Sequence, residues 1–146
     1  MKKILVVHNK YQHLGGEDIA VTNEISVLKK YFEVETIFFN NNLNNYFFQF
    51  FYFIFANNIK SNSLIRQKIV EFQPDLIYVH NTWFKASLGI FKVIEKFHIP
   101  VILKLHNFRY NCTKSIFSKH HLLGVDYCKA CGYKKEDAVF FNKYFK

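Results

Sequence analysis

Short apolar runs recur along the chain, and each is followed by polar residues. The clearest cover residues 3–7 and 76–79, and further candidates cover residues 33–39 and 101–105. A brief continuous apolar run is typical of a strand that is buried on both faces, as in a parallel sheet. The pattern therefore predicts four strands.

The segments between these runs carry apolar residues at helical spacing. Residues 17–32, 61–72 and 86–97 each repeat an apolar position every three or four residues, which predicts amphipathic helices. The positions expected to face inward are Val21, Ile25, Leu28, Phe32, Leu64, Ile65, Ile69, Phe72, Leu88, Phe91 and Ile94. Strands that alternate with helices predict an α/β fold with a doubly wound, mainly parallel sheet and right-handed crossovers.

The length of 146 residues is sufficient for one domain with its own core. We predict a single Rossmann-like domain over residues 1–146, without internal repeats or a linker. Residues 106–135 lack periodicity and are predicted to form an irregular, cysteine-containing loop region, and residues 136–145 return to a helical pattern.

The net charge is +9, and the basic residues are concentrated in the last third of the chain. Such a basic end suits a nucleic acid, an anionic membrane or a phosphorylated substrate, and it is equally typical of an ordinary solvated surface. The run at residues 3–7 is too short for a signal peptide. An odd number of cysteines, 3, fits a reducing compartment better than a disulfide scaffold. We expect a cytoplasmic protein.

Residues 46–56 form the most apolar stretch and are rich in Phe and Tyr. The stretch is shorter than the ~20 residues that span a bilayer. One interpretation is a surface that enters a membrane interface to reach a lipid-linked acceptor, which would make the protein peripheral on the inner face of the membrane. The other is a helix buried in the core or against another domain, and the scarcity of nearby basic residues favours it.

Three predicted strands are followed by a histidine and an asparagine. The pairs are His8 with Asn9, His80 with Asn81, and His106 with Asn107. Ligands of doubly wound sheets bind outside the carboxyl ends of the strands, so the set predicts a shared cleft. A single pair would more often be a turn signal.

Gly15 and Gly16 stand just before the first predicted helix. Glycine lets the backbone approach a ligand closely, and the N–H groups at a helix start suit phosphate. In isolation the two glycines are more typical of a plain turn, because neither a dinucleotide fingerprint nor a Walker motif is present.

Cys112, Cys128 and Cys131 supply three of the four ligands of a Cys₄ zinc site. His120, His121 or a residue outside the chain would complete a structural zinc site. Free thiols packed in a loop are the favoured alternative. A redox-active CxxC is disfavoured, since the motif does not open a helix after a strand.

Three segments together resemble the N-terminal domain of family 4 glycosyltransferases, which have the two-domain GT-B fold. They read KILVVHNKYQHLGGED, PDLIYVHNTW and VILKLHNFRYNC. The resemblance covers nearly the whole chain and is strongest to the branch in which an LHN-R…C segment is followed by CxxC. It implies a retaining, nucleotide-sugar-dependent transferase that requires no cofactor for its chemistry, expected in surface polysaccharide or glycolipid synthesis.

The resemblance also implies roles for individual positions. His106 would act at the reacting sugar, Gly15 and Gly16 would adjoin the donor diphosphate, and the acceptor side would comprise His80, Asn81, Asn107 and Arg109. Glycosyl transfer passes through an oxocarbenium-like state, and the leaving diphosphate requires positive groups and N–H donors.

The family's C-terminal donor-binding domain has no counterpart before Lys146. We therefore expect an excised piece, a truncated reading frame or one half of a split enzyme, inactive alone. A non-catalytic partner subunit, which recruits acceptor or membrane to a separate donor-binding chain, stays open. A basic nucleic-acid-binding module is the remote alternative, because the aromatic residues do not interleave with the basic ones as a stacking platform would.

Overall fold

The structure is a computed structural model. It describes the residues 1–10, 15–40, 51–52, 55, 57–83, 85–106, 127–128 and 133–134. The chain divides into two compact units, Met1–Lys104 and Leu105–Lys146.

The first unit is built on a four-stranded parallel sheet. Its strands are β1 (Lys3–Lys10), β2 (Glu33–Asn40), β3 (Leu76–Asn81) and β4 (Val101–Leu103), in the spatial order β2-β1-β3-β4. Its described helices are α1 (Gly16–Leu28), α2 (Ile59–Phe72) and α3 (Gly89–Glu95). The predicted α/β fold with a parallel sheet is confirmed.

Each face of the sheet is covered by different helices. Because successive strand residues point to opposite faces, Ile4 and Val6 of β1 pack against Val21 and Ile25 of α1. The opposite face packs against α2 and α3. Its buried residues are Leu5, Val7, Ile37, Phe39, Ile65, Ile69, Phe72, Ile77, Val79, Ala86, Ile90, Val93 and Ile94. Full burial of one such aliphatic side chain contributes about 1.5–3 kcal/mol, so this larger cluster is the main core.

Helix α2 begins earlier than predicted because Asn58 caps it. The Asn58 side chain accepts hydrogen bonds from the backbone N–H groups of Lys60 and Ser61, which satisfies two donors of the first turn. The expectation that Leu64 faces inward is wrong, since its side chain is 42% exposed. Ser61 is buried instead, and its hydroxyl donates to the carbonyl of Lys85.

Helix α3 is shorter than its predicted range of 86–97. Ser87 has a φ of 59°, a left-handed conformation that a helix cannot contain, so the helix begins only at Gly89. At the other end, His98 has a φ of 54°, which ends the helical path. Strand β4 is also shorter than predicted and ends at Leu103.

The second unit contains two described strands, β5 (Tyr127–Cys128) and β6 (Tyr133–Lys134), which pair antiparallel. The predicted helix at residues 136–145 and most of the aromatic segment 46–56 lie outside the described residues. Of that segment, Phe51, Tyr52 and Phe55 are described, and the ring centroids of Phe51 and Phe55 are 6.5 Å apart. Among the described residues, no helix has the length and apolarity to cross a membrane.

Candidate functional site

The carboxyl ends of β1 and β3 meet at the topological switch point of the sheet. The chain leaves β1 for β2 on one side, and β3 then pairs with β1 on the other. Ligands of open α/β sheets bind at this place. His8 and His80 lie there with ring centroids 6.1 Å apart, so the first two histidine–asparagine pairs are neighbours.

The two members of each pair point to opposite faces of the sheet. Both strands extend further than predicted, and His8, Asn9, His80 and Asn81 are therefore strand residues rather than loop residues. The histidines lie on the α1 face and the asparagines on the face covered by α2 and α3. All four are buried.

His8 is fixed against the start of α1. Its Nε2 lies 2.9 Å from Oδ1 of Asp18, and its Nδ1 lies 4.0 Å from Oε1 of Glu17. The other oxygen of Asp18 accepts the N–H of Gly15 at 2.9 Å. The Asp18 carboxylate thus connects the end of β1 to the Gly15 turn.

A positive φ does not explain Gly15, and a lack of room for a Cβ does not explain Gly16. Gly15 has a φ of −115°, which any residue adopts. Among the described residues, a Cβ added to Gly16 would meet nothing within 4 Å. Within the described part of the chain the space beside Gly16 is therefore open, so the positive end of α1 is accessible there, although Glu17 and Asp18 already place two acidic side chains in its first turn.

A second polar group lies beside His80. The Tyr78 hydroxyl donates to Oε2 of Glu24 at 2.7 Å, and Nζ of Lys104 donates to Oε1 of the same carboxylate. Nε2 of His80 lies 3.9 Å from Oε2 of Glu24, and the Tyr78 and His80 ring centroids are 4.2 Å apart. This group joins α1 to β3 and to the residue that follows β4.

The hydrogen bonds change the acidity of two members of this group. Burial raises the pKa of Glu24, but the hydrogen bonds from Lys104 and Tyr78 and the nearby positive charge outweigh it and hold that pKa below its ordinary value. Burial and the hydrogen bond to Glu24 raise the pKa of Tyr78. Glu24 is therefore a carboxylate and Tyr78 a neutral donor at neutral pH.

The asparagines organise the loop between β3 and α3. Oδ1 of Asn9 accepts the backbone N–H groups of Lys85 and Ala86 at 3.0 and 3.1 Å. Asn81 donates from its side chain to the carbonyl of Asn9 and accepts the N–H of Trp83. The predicted acceptor residue Asn81 therefore has its amide engaged with backbone.

Helix α2 holds the same loop from the other side. The side chains of Asn58 and Ser61 both donate to the carbonyl of Lys85, at 2.8 and 2.6 Å. The backbone N–H of Asn58 donates to the hydroxyl of Ser87, whose left-handed conformation costs about 1–3 kcal/mol. These contacts offset the strain of Ser87. Sequence reasoning missed them, although an asparagine before a helix is a recognisable cap signal.

No protein-family model, curated protein or solved structure matches the chain. The likeness to family 4 glycosyltransferases therefore rests on the three sequence segments alone, and what it implies is carried forward as a proposal.

The structure does not test the remaining predicted site residues. His106 is half-buried and belongs to the second unit, whereas Asn107, Arg109, Cys112 and Cys131 lie outside the described residues. For Cys128 only the strand backbone is described. Within the described ranges, no cluster of three or more His, Cys, Asp or Glu residues could hold a metal ion, and the zinc site stays a prediction.

Proposed function

We propose that this chain is the acceptor-side half of a retaining, nucleotide-sugar-dependent glycosyltransferase. The observation that carries the proposal is the convergence of His8, His80 and the open helix start at Gly16 on the switch point of a parallel sheet. Sites of this kind combine N–H donors for a phosphate with polar side chains for a sugar.

The proposed chemistry divides between the helix start and the strand ends. The donor diphosphate adjoins Gly15 and Gly16, where the helix dipole stabilises the leaving negative charge. His106 acts at the reacting sugar, and His80 and Arg109 bind the acceptor directly. Asn81 acts through the loop whose backbone it holds, and Asn107 completes the acceptor side. No metal or other cofactor takes part in the transfer.

The proposal includes partners for the chain. A donor-binding domain, on the same polypeptide or on a partner chain, completes the cleft. The acceptor is a sugar or a lipid-linked sugar of surface polysaccharide or glycolipid synthesis, and membrane attachment is peripheral. A non-catalytic partner subunit would keep the acceptor contacts and lack any response to a nucleotide sugar.

Two substitutions of Gly16 test the diphosphate site without disturbing the fold. Ala fits the open space, and Asp adds a negative charge that the start of a helix favours by about 0.3–1 kcal/mol. NMR titration with UDP- and GDP-sugars should shift the amides of His8, Gly15 and Gly16. Gly16→Asp should weaken the binding by roughly tenfold through repulsion of the diphosphate, and Gly16→Ala should change it by less than about threefold.

Two results would contradict the proposal. One is the absence of any shift at these amides with all nucleotide sugars tested. The other is an equal effect of Gly16→Asp and Gly16→Ala, because repulsion of a diphosphate requires the added charge. Shifts near His80 with sugar acceptors alone would instead favour the non-catalytic partner.

A further inference from the structure

One carboxylate on the α1 face has three groups of donor character around it. Glu24 receives hydrogen bonds from Nζ of Lys104 and from the Tyr78 hydroxyl, and Nε2 of His80 lies 3.9 Å away. We call Tyr78, His80 and Lys104 the donor trio. His80 lies near the carboxyl end of β3 and Lys104 follows β4, at the edge of the sheet where ligands bind, and Tyr78 lies two residues before His80 on β3.

A second ion pair of the first unit provides a comparison for the surroundings of Glu24. Lys68 and Glu35 are 2.6 Å apart, with side chains 30% and 41% exposed. The side chains of Lys104 and Glu24 are 39% and 30% exposed. The two pairs are alike in exposure, but of the two carboxylates only Glu24 has a phenol and an imidazole beside it among the described residues. A cation with further donors converging on one point is the arrangement that binds an oxyanion.

Two features of Glu24 favour release of its carboxylate from this position. It stands on a flexible stem in the third turn of α1 and is partly open to solvent. Ion pairs this exposed contribute little net stability, so the exchange of Glu24 for a better anion would cost little.

We propose that the donor trio is a binding site for a phosphoryl group, which Glu24 occupies in the unliganded protein and vacates when the ligand arrives. A monocarboxylate ligand would only equal Glu24, which has the advantage of being tethered. A phosphoryl group carries nearly two charges and three acceptor oxygens, which match three donors. The site is separate from the helix start at Gly16. It shares His80 with the proposed acceptor side, but phosphate binding at the donor trio does not depend on sugar transfer.

Removal of Glu24 should strengthen the binding of phosphate. A site that is open for a fraction of the time binds with an affinity reduced by that fraction, so a variant without the competitor should gain about tenfold. The measurement is NMR titration of the 146-residue chain with inorganic phosphate and with pyrophosphate at constant ionic strength, following the amides of His80 and Lys104. Glu24→Ala opens the site. Glu24→Gln removes only the charge and should act in the same direction, should the alanine variant fold poorly.

Two further variants make the test specific. Lys104→Met keeps the apolar stem and should abolish the response at His80. Glu35→Ala frees Lys68 in an equally exposed pair and should create no phosphate site. Vesicles of phosphatidylcholine with and without phosphatidic acid identify the source of the phosphoryl group. Binding only to those with phosphatidic acid indicates a lipid headgroup, and a response only to the dissolved ions indicates a soluble phosphate.

Three results would overturn the proposal. They are equal phosphate affinity in wild type and both Glu24 variants, an equal gain in Glu35→Ala, or shifts confined to Gly15 and Gly16. The last result would leave the diphosphate site of the proposed function standing and remove this one.

Discussion

Replacement of Asn9 by Ala is expected to destabilise the first unit and to loosen one loop selectively. The side chain of Asn9 is fully buried, and its Oδ1 accepts the N–H groups of Lys85 and Ala86. Alanine has no acceptor to offer, and the buried site gives water little access. Both N–H groups would therefore lose their partner.

The magnitude follows from these two donors. A buried donor that loses its partner costs about 1–3 kcal/mol, and two would cost about 2–6 kcal/mol. Ala86 is fully buried, whereas Lys85 is only partly buried. The lower half of that range, about 2–4 kcal/mol, is therefore the expected loss. Relaxation of the strained backbone of Ser87 would reduce this loss of stability.

Urea denaturation followed by circular dichroism measures the loss in the free energy of unfolding. Amide hydrogen exchange shows which part of the chain loses protection. The amides of Lys85 and Ala86 should lose more protection than those in the middle of β1. Asn62→Ala is the matched control, because it removes an exposed hydrogen bond to Asn57 and should change stability by less than about 0.5 kcal/mol. A loss below about 1 kcal/mol for Asn9→Ala, or uniform loss of protection, would refute the reasoning.

Three further predictions concern backbone, packing and pH. Gly89→Ala should cost about 1–3 kcal/mol, since its Cβ would lie 2.5 Å from Oδ1 and 3.2 Å from Cα of Asn57. In the same urea experiment Gly16→Ala should be neutral or stabilising, and equal losses would contradict the packing argument. Gln73→Gly should raise stability by up to about 1 kcal/mol, because Gln73 ends α2 with a φ of 51°, and an unchanged or lower Tm would count against it. The folded-state pKa of Glu24 lies below its ordinary 4.5, so its stabilisation is present above that pH and is lost as the pH falls through the lower value. Wild type and Glu24→Gln should therefore converge in stability between about pH 6 and about pH 3, and a constant difference would be inconsistent with this.

The fold could be predicted from the sequence because its signals are local. The buried run Leu5 to Val7 and the stripe of Val21 and Ile25 are confirmed in β1 and α1. Helix α3 was overestimated because a serine in a left-handed conformation carries no signal in the sequence. At that position tertiary hydrogen bonds override local preference.

The site could be predicted only in part. Polar residues after an apolar run predict a loop, yet β1 continues through Asn9 because its ladder with β2 pairs Asn9 with Phe39. Had the strand been extended by two residues, its alternation would have placed His8 and Asn9 on opposite faces. The contact of Glu24 with Lys104 joins residues 80 positions apart, and such a pair depends on how α1 lies across the sheet.

The histidines and the asparagines lie on opposite faces of the sheet, and the two faces therefore have different roles. The asparagine face meets two helices, and its amides satisfy the backbone of a strained loop, which makes it a scaffold. Of the described helices, only α1 meets the histidine face, where the ionisable groups of Asp18, Glu24 and Lys104 gather. Neutral amides suit permanent burial, whereas the partly exposed pair of Glu24 and Lys104 lies where we propose that a ligand binds. Variants of the asparagines should therefore change stability first, and variants around Glu24 should change ligand binding first.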